Sequence, residues 1–419
     1  MSFDRLRKMR IGFDISQTGK LKAGCGFFAD SLIRHLAEFN REDEFILYPT
    51  FGDGYWDPDY PTGLCKLHRP NFRYGTSHED FEASRAFWTH PSEDFETALG
   101  NPDVIHSNNF FCPRGLRKAR LVYTLYDLSF LAHPEWTTEE NRMTCFNGVF
   151  QASLYADSIV AISAYSRQHF LEIFPHYPPD RIVAIHPASR FSSASRLAEA
   201  KHPPSLKSGQ FWLTVGVLEP RKNHSGLLHA YARLKAEREG VFPLVLAGSQ
   251  GWLMKDFEKE IKAMNLKDDV VMLGYVEDRE LSWLYRNCFA FLYPSFFEGF
   301  GLPVLEAMSM GAPVIASNVS SIPEITEDAA LLIDPYDWES IFRAMKNLVE
   351  DQNLRLLIGE KAMHQSAKFS WGSTAARVLQ LYQEVTRCEP LTEFLRQRDP
   401  GHDLRQTQGF PIGKDRSQG

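Results

Sequence analysis

The sequence predicts an α/β protein of two doubly wound units that face each other across a cleft. Short apolar runs alternate with amphipathic stretches of helical length along most of the chain, the pattern of parallel sheets with helices on both faces. The alternation breaks once, over 189–209, where Ser, Lys, Pro and Ala displace apolar residues, and then restarts. A chain of 419 residues is also too long for one comfortable core.

In the first block Met9 to Ile15 reads as a strand, Gly24 to Phe39 as a glycine-led helix and Glu44 to Phe51 as a second strand. Residues 52–102 are rich in aromatics and charges and read as irregular. Val104 to Ser107, Leu121 to Leu125, Ser158 to Ile162 and Arg181 to Ile185 read as further strands, with a helix over Thr138 to Tyr155. After the break, Phe211 to Val215, Pro243 to Ala247, Val270 to Leu273, Ala290 to Tyr293, Pro313 to Ala316 and Ala330 to Ile333 are strands separated by helical segments. Trp338 to Asp351, Asn353 to Phe369 and Trp371 to Thr386 read as closing helices. The expected organisation is a first domain over 1–188, a linker over 189–209 and a second domain over 210–370. A closing helix over 371–387 then packs back on the first domain, and a disordered tail covers 388–419.

Apolar residues make up 43% and charged residues 24%, ordinary for a globular protein. A net charge of −7 argues against a nucleic-acid partner, which calls for a basic footprint. The six cysteines are scattered without a CxxC pair, so neither a zinc knuckle nor a disulfide framework is indicated, and reduced thiols are expected. Met1 to Arg10 is followed by no apolar core of signal-peptide type, and no run approaches the roughly 18 apolar residues needed to span a bilayer. A cytoplasmic protein is expected. Arg114, Arg117, Lys118 and Arg120 could form a basic patch for peripheral membrane contact, or a solvated charge cluster.

Chemistry concentrates in the second block. Glu298-Gly299-Phe300-Gly301-Leu302-Pro303-Val304-Leu305-Glu306 follows an apolar strand. Its glycines allow close backbone approach, Pro303 suits a first helical position, and N–H groups at a helix start suit a phosphate. A carboxylate has two acceptor oxygens and can grip a sugar diol. The stretch therefore offers groups for both ends of a nucleotide sugar, although paired Glu residues also complement a helix dipole. Upstream, Val215-Gly216-Val217-Leu218-Glu219-Pro220-Arg221-Lys222-Asn223-His224 ends a strand with two adjacent cations, suited to the charge that develops on a departing diphosphate, or to a solvated basic turn. Gly248 and Gly274-Tyr275 end further strands, where backbone groups can read a base.

With those residues in place, the second block resembles the donor-binding half of the retaining glycosyltransferases of the GT-B fold, family four. The resemblance rests on Pro220-Arg221-Lys222-Asn223, on Gly274-Tyr275-Val276, on Pro294-Ser295 leading into Glu298 to Glu306, on Ala307 to Ala316 and on Pro323-Glu324-Ile325. It covers roughly residues 9 to 386 and implies two Rossmann-like domains. It further implies that Lys222 and Arg221 hold the donor diphosphate, that Glu306 binds the nucleotide ribose, and that Glu298 with Gly299, Phe300, Gly301 and Leu302 holds the donor sugar. Gly216, Gly248 and Tyr275 would complete the donor site. Val217 stands where relatives often carry an arginine. In the first block the resemblance places Gly24 and Gly26 in a loop near the phosphates. It places Tyr126, before Asp127, where many relatives have a histidine that contacts the donor sugar. His133 is a substitute for that histidine or a surface loop residue, Ser163 and Ser166 fit a helix cap first, and His106 is a substrate contact or a satisfied core histidine.

The implied reaction moves a hexose, mannose-like for preference, from a nucleotide diphosphate sugar to a saccharide or lipid-linked saccharide acceptor in surface polysaccharide synthesis, with retention and without a metal. GDP-mannose is the first choice of donor and a UDP sugar the second, and no other cofactor is called for. Asp57-Pro58-Asp59 fits a loose metal-binding D-x-D but lacks an apolar strand before it, so it is not taken as a metal site. A nucleotide-sugar epimerase of the same fold, or a non-catalytic sugar-binding partner of a glycosyltransferase complex, are the rival readings; the oligomeric state is left open.

Overall fold

The computed structural model describes residues 8–19, 22, 24–53, 65–76, 78, 80–191, 206–251 and 256–398. The Asp57-Pro58-Asp59 triplet and residues 399–419 lie outside them. Among the described residues the strands form two sheets, each parallel throughout. The first contains β1 (Arg10–Asp14), β2 (Glu44–Tyr48), β3 (Phe72–Tyr74), β4 (Val104–Ser107), β5 (Arg120–Leu125), β6 (Ser158–Ala161) and β7 (Ile182–Ala184), in the order β3-β2-β1-β4-β5-β6-β7. The second contains β8 (Trp212–Val215), β9 (Leu244–Ala247), β10 (Val270–Gly274), β11 (Ala290–Tyr293), β12 (Val314–Ser317) and β13 (Leu331–Ile333), in the order β10-β9-β8-β11-β12-β13. Central strands such as β4, β6, β9 and β11 are buried at every position, because helices cover both faces; β9 and β11 are accordingly continuous apolar runs, while β4 ends in the buried, hydrogen-bonded His106 and Ser107 and β6 begins with the buried Ser158.

Strand order reverses between β1 and β4 in the first sheet and between β8 and β11 in the second. At such a point the loops leaving the two carboxyl ends turn to opposite faces and leave a crevice. Lys222 and Glu298 are far apart in sequence, yet they follow β8 and β11, which pair directly through Trp212–Ala290 and Leu213–Phe291.

Two expectations need correction. The stretch read as irregular holds β3 and two helices, Phe81–Thr89 and Phe95–Ala98. Their inward residues are aromatic rather than aliphatic: Trp88 is buried against Tyr48, Phe51, Phe95 and Phe111, and its indole donates to the Thr50 carbonyl at 3.1 Å. The stretch read as a disordered tail begins with a helix, Leu391–Arg398. Leu391 is buried, its N–H donates to Asp157 Oδ1 at 2.8 Å, and Phe394 lies under the Arg181 guanidinium at 4.9 Å.

The helix Trp371–Arg387 returns from the second unit to the first. Ser370 caps it by accepting from Ser373 N–H at 3.2 Å. Trp371 stacks on His35 with centroids 5.8 Å apart, and Phe28 lies 5.8 Å away on another side. One apolar cluster consequently runs from Phe13 of β1 through Trp371 to Phe291 of β11 and Val304. None of the six cysteines is in a disulfide. No described helix is long and apolar enough to cross a membrane.

Candidate functional site

The loop after β8 is shaped by Asn223. Pro220–Lys222 form one 3-10 turn, and Asn223 follows in the left-handed conformation at φ 56. Asparagine tolerates that conformation better than most residues. Its side chain caps the helix His224–Glu237 by accepting from Gly226 N–H at 3.2 Å, and donates to the carbonyls of Pro294 at 3.2 Å and Pro335 at 2.7 Å. The loops after β8, β11 and β13 are thereby tied at one residue.

This geometry brings Lys222 and Arg221 onto Glu298. Lys222 Nζ lies 2.7 Å from Glu298 Oε1 and donates to the Tyr293 hydroxyl at 2.7 Å. Arg221 Nη1 lies 3.0 Å from Glu298 Oε2 and donates to the Phe297 carbonyl at 2.7 Å, while Nη2 meets Glu219 Oε1 at 2.6 Å. All four charged groups are at least four-fifths buried. Burial raises the Glu298 carboxyl, but Arg221 and Lys222 together outweigh it and bring it down to about 2. Burial, then Arg221, makes the Lys222 ammonium easier to deprotonate than usual. Burial acts on Arg221 in the same direction, and Glu298 and Glu219 more than reverse it. The cations are thus balanced by two carboxylates.

From Glu298 the chain crosses to the first unit. Ser320 Oγ accepts from Glu298 N–H at 2.9 Å, and Ser321 Oγ lies 2.9 Å from the Glu298 carbonyl and 2.8 Å from that of Phe300. A Cβ added to Gly299 would overlap the Tyr126 main-chain oxygen and come within 2.9 Å of Asp127 Cβ, so only glycine fits. Ser166 Oγ, from the helix Ala164–Ile173, lies 2.9 Å from the Tyr126 carbonyl and 3.2 Å from the Gly299 carbonyl. Phe300 is buried and stacks on His186 at 5.9 Å. Gly301, at φ 105, turns the chain into the helix Leu302–Ser309, with Pro303 in its first turn. That helix presents Glu306, buried, whose Oε2 accepts from the Tyr285 hydroxyl at 3.1 Å and whose Oε1 lies 2.8 Å from Arg190 Nε.

The remaining positions named from the sequence divide. Gly24 and Gly26 are in the first turn of the helix Gly24–Phe39 rather than in a loop before it. A Cβ on Gly26 would overlap the Gln17 carbonyl oxygen, so the helix start sits tightly on the loop after β1. The Tyr126 hydroxyl donates to the Asn108 carbonyl at 2.8 Å, with the Cys25 carbonyl at 3.3 Å; its proton serves the main chain of its own unit. Asp127 Oδ1 accepts from Ser129 N–H at 2.9 Å and Oγ at 2.7 Å and closes the turn into Ser129–Ala132. His133 stacks on Trp136 with centroids 3.8 Å apart, at the partly exposed end of a row that continues to Phe296 and Tyr336. Ser163 caps its helix through Ser166 N–H at 2.9 Å. His106 is a core histidine, with Nδ1 2.5 Å from the Tyr382 hydroxyl and Nε2 2.8 Å from Thr124 Oγ1, and burial pushes it down to about 3. Gly216 and Gly248 abut at the ends of β8 and β9, and Tyr275 stands half exposed beyond β10.

Several contributors were given no role from the sequence. Glu219 and Tyr293 flank the cation pair and were visible only as neighbours of the motif. Glu324 crosses the cleft: Oε1 accepts from Ala164 N–H at 2.8 Å, Oε2 lies 3.2 Å from Tyr165 N, and His186 Nε2 is within hydrogen-bond reach. Arg190 lay hidden in a segment read as linker.

Comparison with known proteins places the chain in a family. Residues 198–365 match the family described as Glycosyl transferases group 1. The O-antigen chain mannosyltransferase B of Escherichia coli is 34% identical over 285 residues, covering 67% of this chain and 74% of that protein. The serotype-specific mannosyltransferase WbdA of Escherichia coli is 35% identical over 340 residues, or 75% of this chain but only 41% of that longer protein. Among solved structures, Anabaena Alr3699/HepE in complex with UDP-glucose superposes with a TM-score of 0.67 at 18% identity, over 90% of this chain and all of that one; at this identity the likeness is one of fold.

Proposed function

Since the chain belongs to the glycosyl transferases group 1 family, we propose that it moves a mannose-like hexose from a nucleotide diphosphate sugar to a saccharide or lipid-linked saccharide acceptor, with retention at the anomeric carbon. The single observation that carries the reading is the buried cluster of Glu298, Arg221 and Lys222 at the crevice between β8 and β11. The mannosyltransferase relatives favour mannose and surface polysaccharide synthesis. GDP-mannose is the preferred donor on that ground, with a UDP sugar second on the strength of the UDP-glucose-bound neighbour.

In this reading Lys222 and Arg221 hold the diphosphate and offset the charge that develops on it as the glycosyl bond breaks. They supply the positive charge that a divalent ion supplies in other transferases, so no metal is required. Glu298 holds the sugar hydroxyls and the Gly299–Leu302 turn brings main-chain N–H groups close to the donor. Glu306 holds the ribose. Gly216, Gly248 and Tyr275 line the base end. Gly24, Gly26, Tyr126 and Asp127 of the first unit close over the donor phosphates and sugar, Tyr126 through its main chain. The acceptor oxygen attacks on the face from which the phosphate leaves, and a departing phosphate oxygen takes the acceptor's proton. Residues 1–188 and 210–370 act as the two bodies of the cleft, joined by 189–209 and by the helix Trp371–Arg387. Catalysis occurs in the cytoplasm, with the exposed Arg114–Lys118 region available to a membrane carrying the acceptor.

Incubation with GDP-mannose and UDP sugars and a labelled acceptor pool, comparing wild type with Glu298→Ala and Lys222→Ala, tests the assignment. Loss of transfer in both variants is expected; transfer that survives both substitutions sinks it. Donor binding without any turnover in the wild type would favour a non-catalytic binding partner instead, and the donor-only appearance of an epimeric nucleotide sugar would favour the epimerase.

A further inference from the structure

We propose that Arg190, between the two units and outside the motifs singled out in the sequence, is a positioning residue: it holds the Glu306 carboxylate with the acceptor sites of Oε1 open, and thereby makes the protein select ribonucleotide over 2′-deoxyribonucleotide donors. The proposal rests on reading Glu306 as the ribose grip and adds to it the residue through which that grip is set.

Arg190 is built into place from three sides. Its Nε lies 2.8 Å from Glu306 Oε1, its Nη2 3.5 Å from Oε2 and its Nη1 3.0 Å from Asp278 Oδ1, at the start of the helix Asp278–Asn287. The guanidinium carbon sits 3.8 Å above the Phe27 ring, which belongs to the first unit's helix Gly24–Phe39, and 5.2 Å from the Phe191 ring. The main chain beneath is pinned to the same helix that carries Glu306: Ser189 Oγ and Ser309 Oγ are 2.8 Å apart, and Ser309 Oγ donates to the Glu306 carbonyl at 2.8 Å. The side chain is only 17% exposed.

A carboxylate offers about four lone-pair sites. Arg190 Nη2 and the Tyr285 hydroxyl both donate to Oε2, at 3.5 Å and 3.1 Å, which fills its two sites. The Arg190 Nε–H is buried and lies 2.8 Å from Oε1 without meeting it in line, so that contact is an ion pair and leaves the lone pairs of Oε1 for a ligand. An oxygen with two open acceptor sites can take the two O–H donors of a vicinal diol. Burial raises the Glu306 carboxyl above its ordinary value, toward the neutral form in which one oxygen becomes a donor; the Arg190 charge, followed by the Tyr285 hydroxyl, holds that rise back. A lysine would not reproduce the arrangement, because an ammonium neither lies flat on Phe27 nor spans Glu306 and Asp278 together.

Calorimetric titration of the full chain with GDP, 2′-deoxy-GDP, UDP and 2′-deoxy-UDP tests this without relying on turnover. The wild type is expected to bind its preferred ribonucleotide roughly tenfold to a hundredfold more tightly than the deoxy form, the value of one hydrogen bond to a charged acceptor. In Arg190→Met the ratio is expected to fall to about threefold or less, with a smaller fall in Arg190→Lys; with sugar donors, KM should rise while kcat holds. Should Arg190→Met not fold, Phe27→Leu, which removes the stacking face alone, is expected to give an intermediate ratio. An undiminished ribose preference in the folded variants overturns the role of Arg190. A wild type that binds the nucleotides with no ribose preference overturns the reading of Glu306 instead, and one that binds none of them overturns both.

Discussion

Glu298 and Lys222 form a buried ion pair, 2.7 Å from oxygen to nitrogen, at the carboxyl ends of adjacent strands. The cations proposed to hold the diphosphate therefore do not wait as a bare positive patch; they are held by the carboxylate that is also the proposed sugar ligand. Breaking a buried pair leaves an uncompensated charge, which typically costs about 3–5 kcal/mol. Lys222→Met is expected to lower stability by roughly that amount, less a share returned by Arg221. It should reduce transfer by roughly a hundredfold or more. The double variant Lys222→Met/Glu298→Gln should recover much of the stability and none of the activity. Thermal unfolding and initial-rate assays on the three proteins check this, and additive stability losses would contradict it.

Glu219 neutralises Arg221 from the side away from Glu298. Removing that carboxylate leaves the two cations with a net positive charge. Glu219→Gln should accordingly bind the nucleoside diphosphate a fewfold more tightly, and slow product release where release limits turnover. Titration calorimetry at two salt concentrations would read both the gain and its screening.

Acid should loosen the site through Glu298. Its folded pKa is depressed from 4.5 to about 2, so its contribution to stability is fully present above 4.5 and is lost as pH falls toward 2. Denaturant unfolding of wild type and Glu298→Gln between neutral pH and the acid limit should show the difference between them shrinking through that window. A difference that stays constant would mean the carboxylate is not held by its cations.

Gly299 tests the closeness of the two units. Gly299→Ala drives a methyl group into the Tyr126 main-chain oxygen. Each half should still fold, but the cleft should be unable to close: transfer should drop by more than tenfold, at a stability loss of roughly 1–3 kcal/mol. Small-angle scattering with and without nucleotide should show the variant fixed at the larger radius.

Glu324 caps a helix of the opposite unit. Glu324→Ala removes the acceptor of the Ala164 and Tyr165 N–H groups and the partner of His186, at about 1 kcal/mol for the lost cap. Glu324→Gln, which keeps an acceptor oxygen, should lose less. Burial raises this carboxyl, while hydrogen bonds from His186 and the two N–H groups bring it below its usual range. Its contribution is thus present above the ordinary glutamate range and fades as pH falls below it, and urea unfolding at pH 7 and pH 4 compares the two variants.

The strands were legible because a parallel sheet covered on both faces favours short apolar runs, and Leu244 to Ala247 and Ala290 to Tyr293 are such runs, buried throughout. The helix Phe81–Thr89 was not, since it buries one large indole instead of an aliphatic stripe. The cation turn and the two glutamates stood out by type and position. That Glu298 faces Lys222 and Arg221 was not legible, for no spacing in a sequence states which strands become neighbours. Tyr126 looked like a side-chain ligand because of where it stands, yet its hydroxyl is committed to Asn108. Arg190 carried no signal at all; polar composition is what a linker and a buried polar anchor share.

The meeting of Gly299 with the carbonyl of residue 126 also bears on how such proteins can be recombined. The clash that excludes other residues at 299 is with a main-chain atom, so it is indifferent to the side chain at 126 and sensitive to the path of the backbone there. A chimera that exchanges the second half for that of a relative, to change the sugar transferred, should be indifferent at this contact to the side chain at 126. It should fail when the loop after β5 differs in length by even one residue. The halves are interchangeable parts only among chains that keep this one clearance.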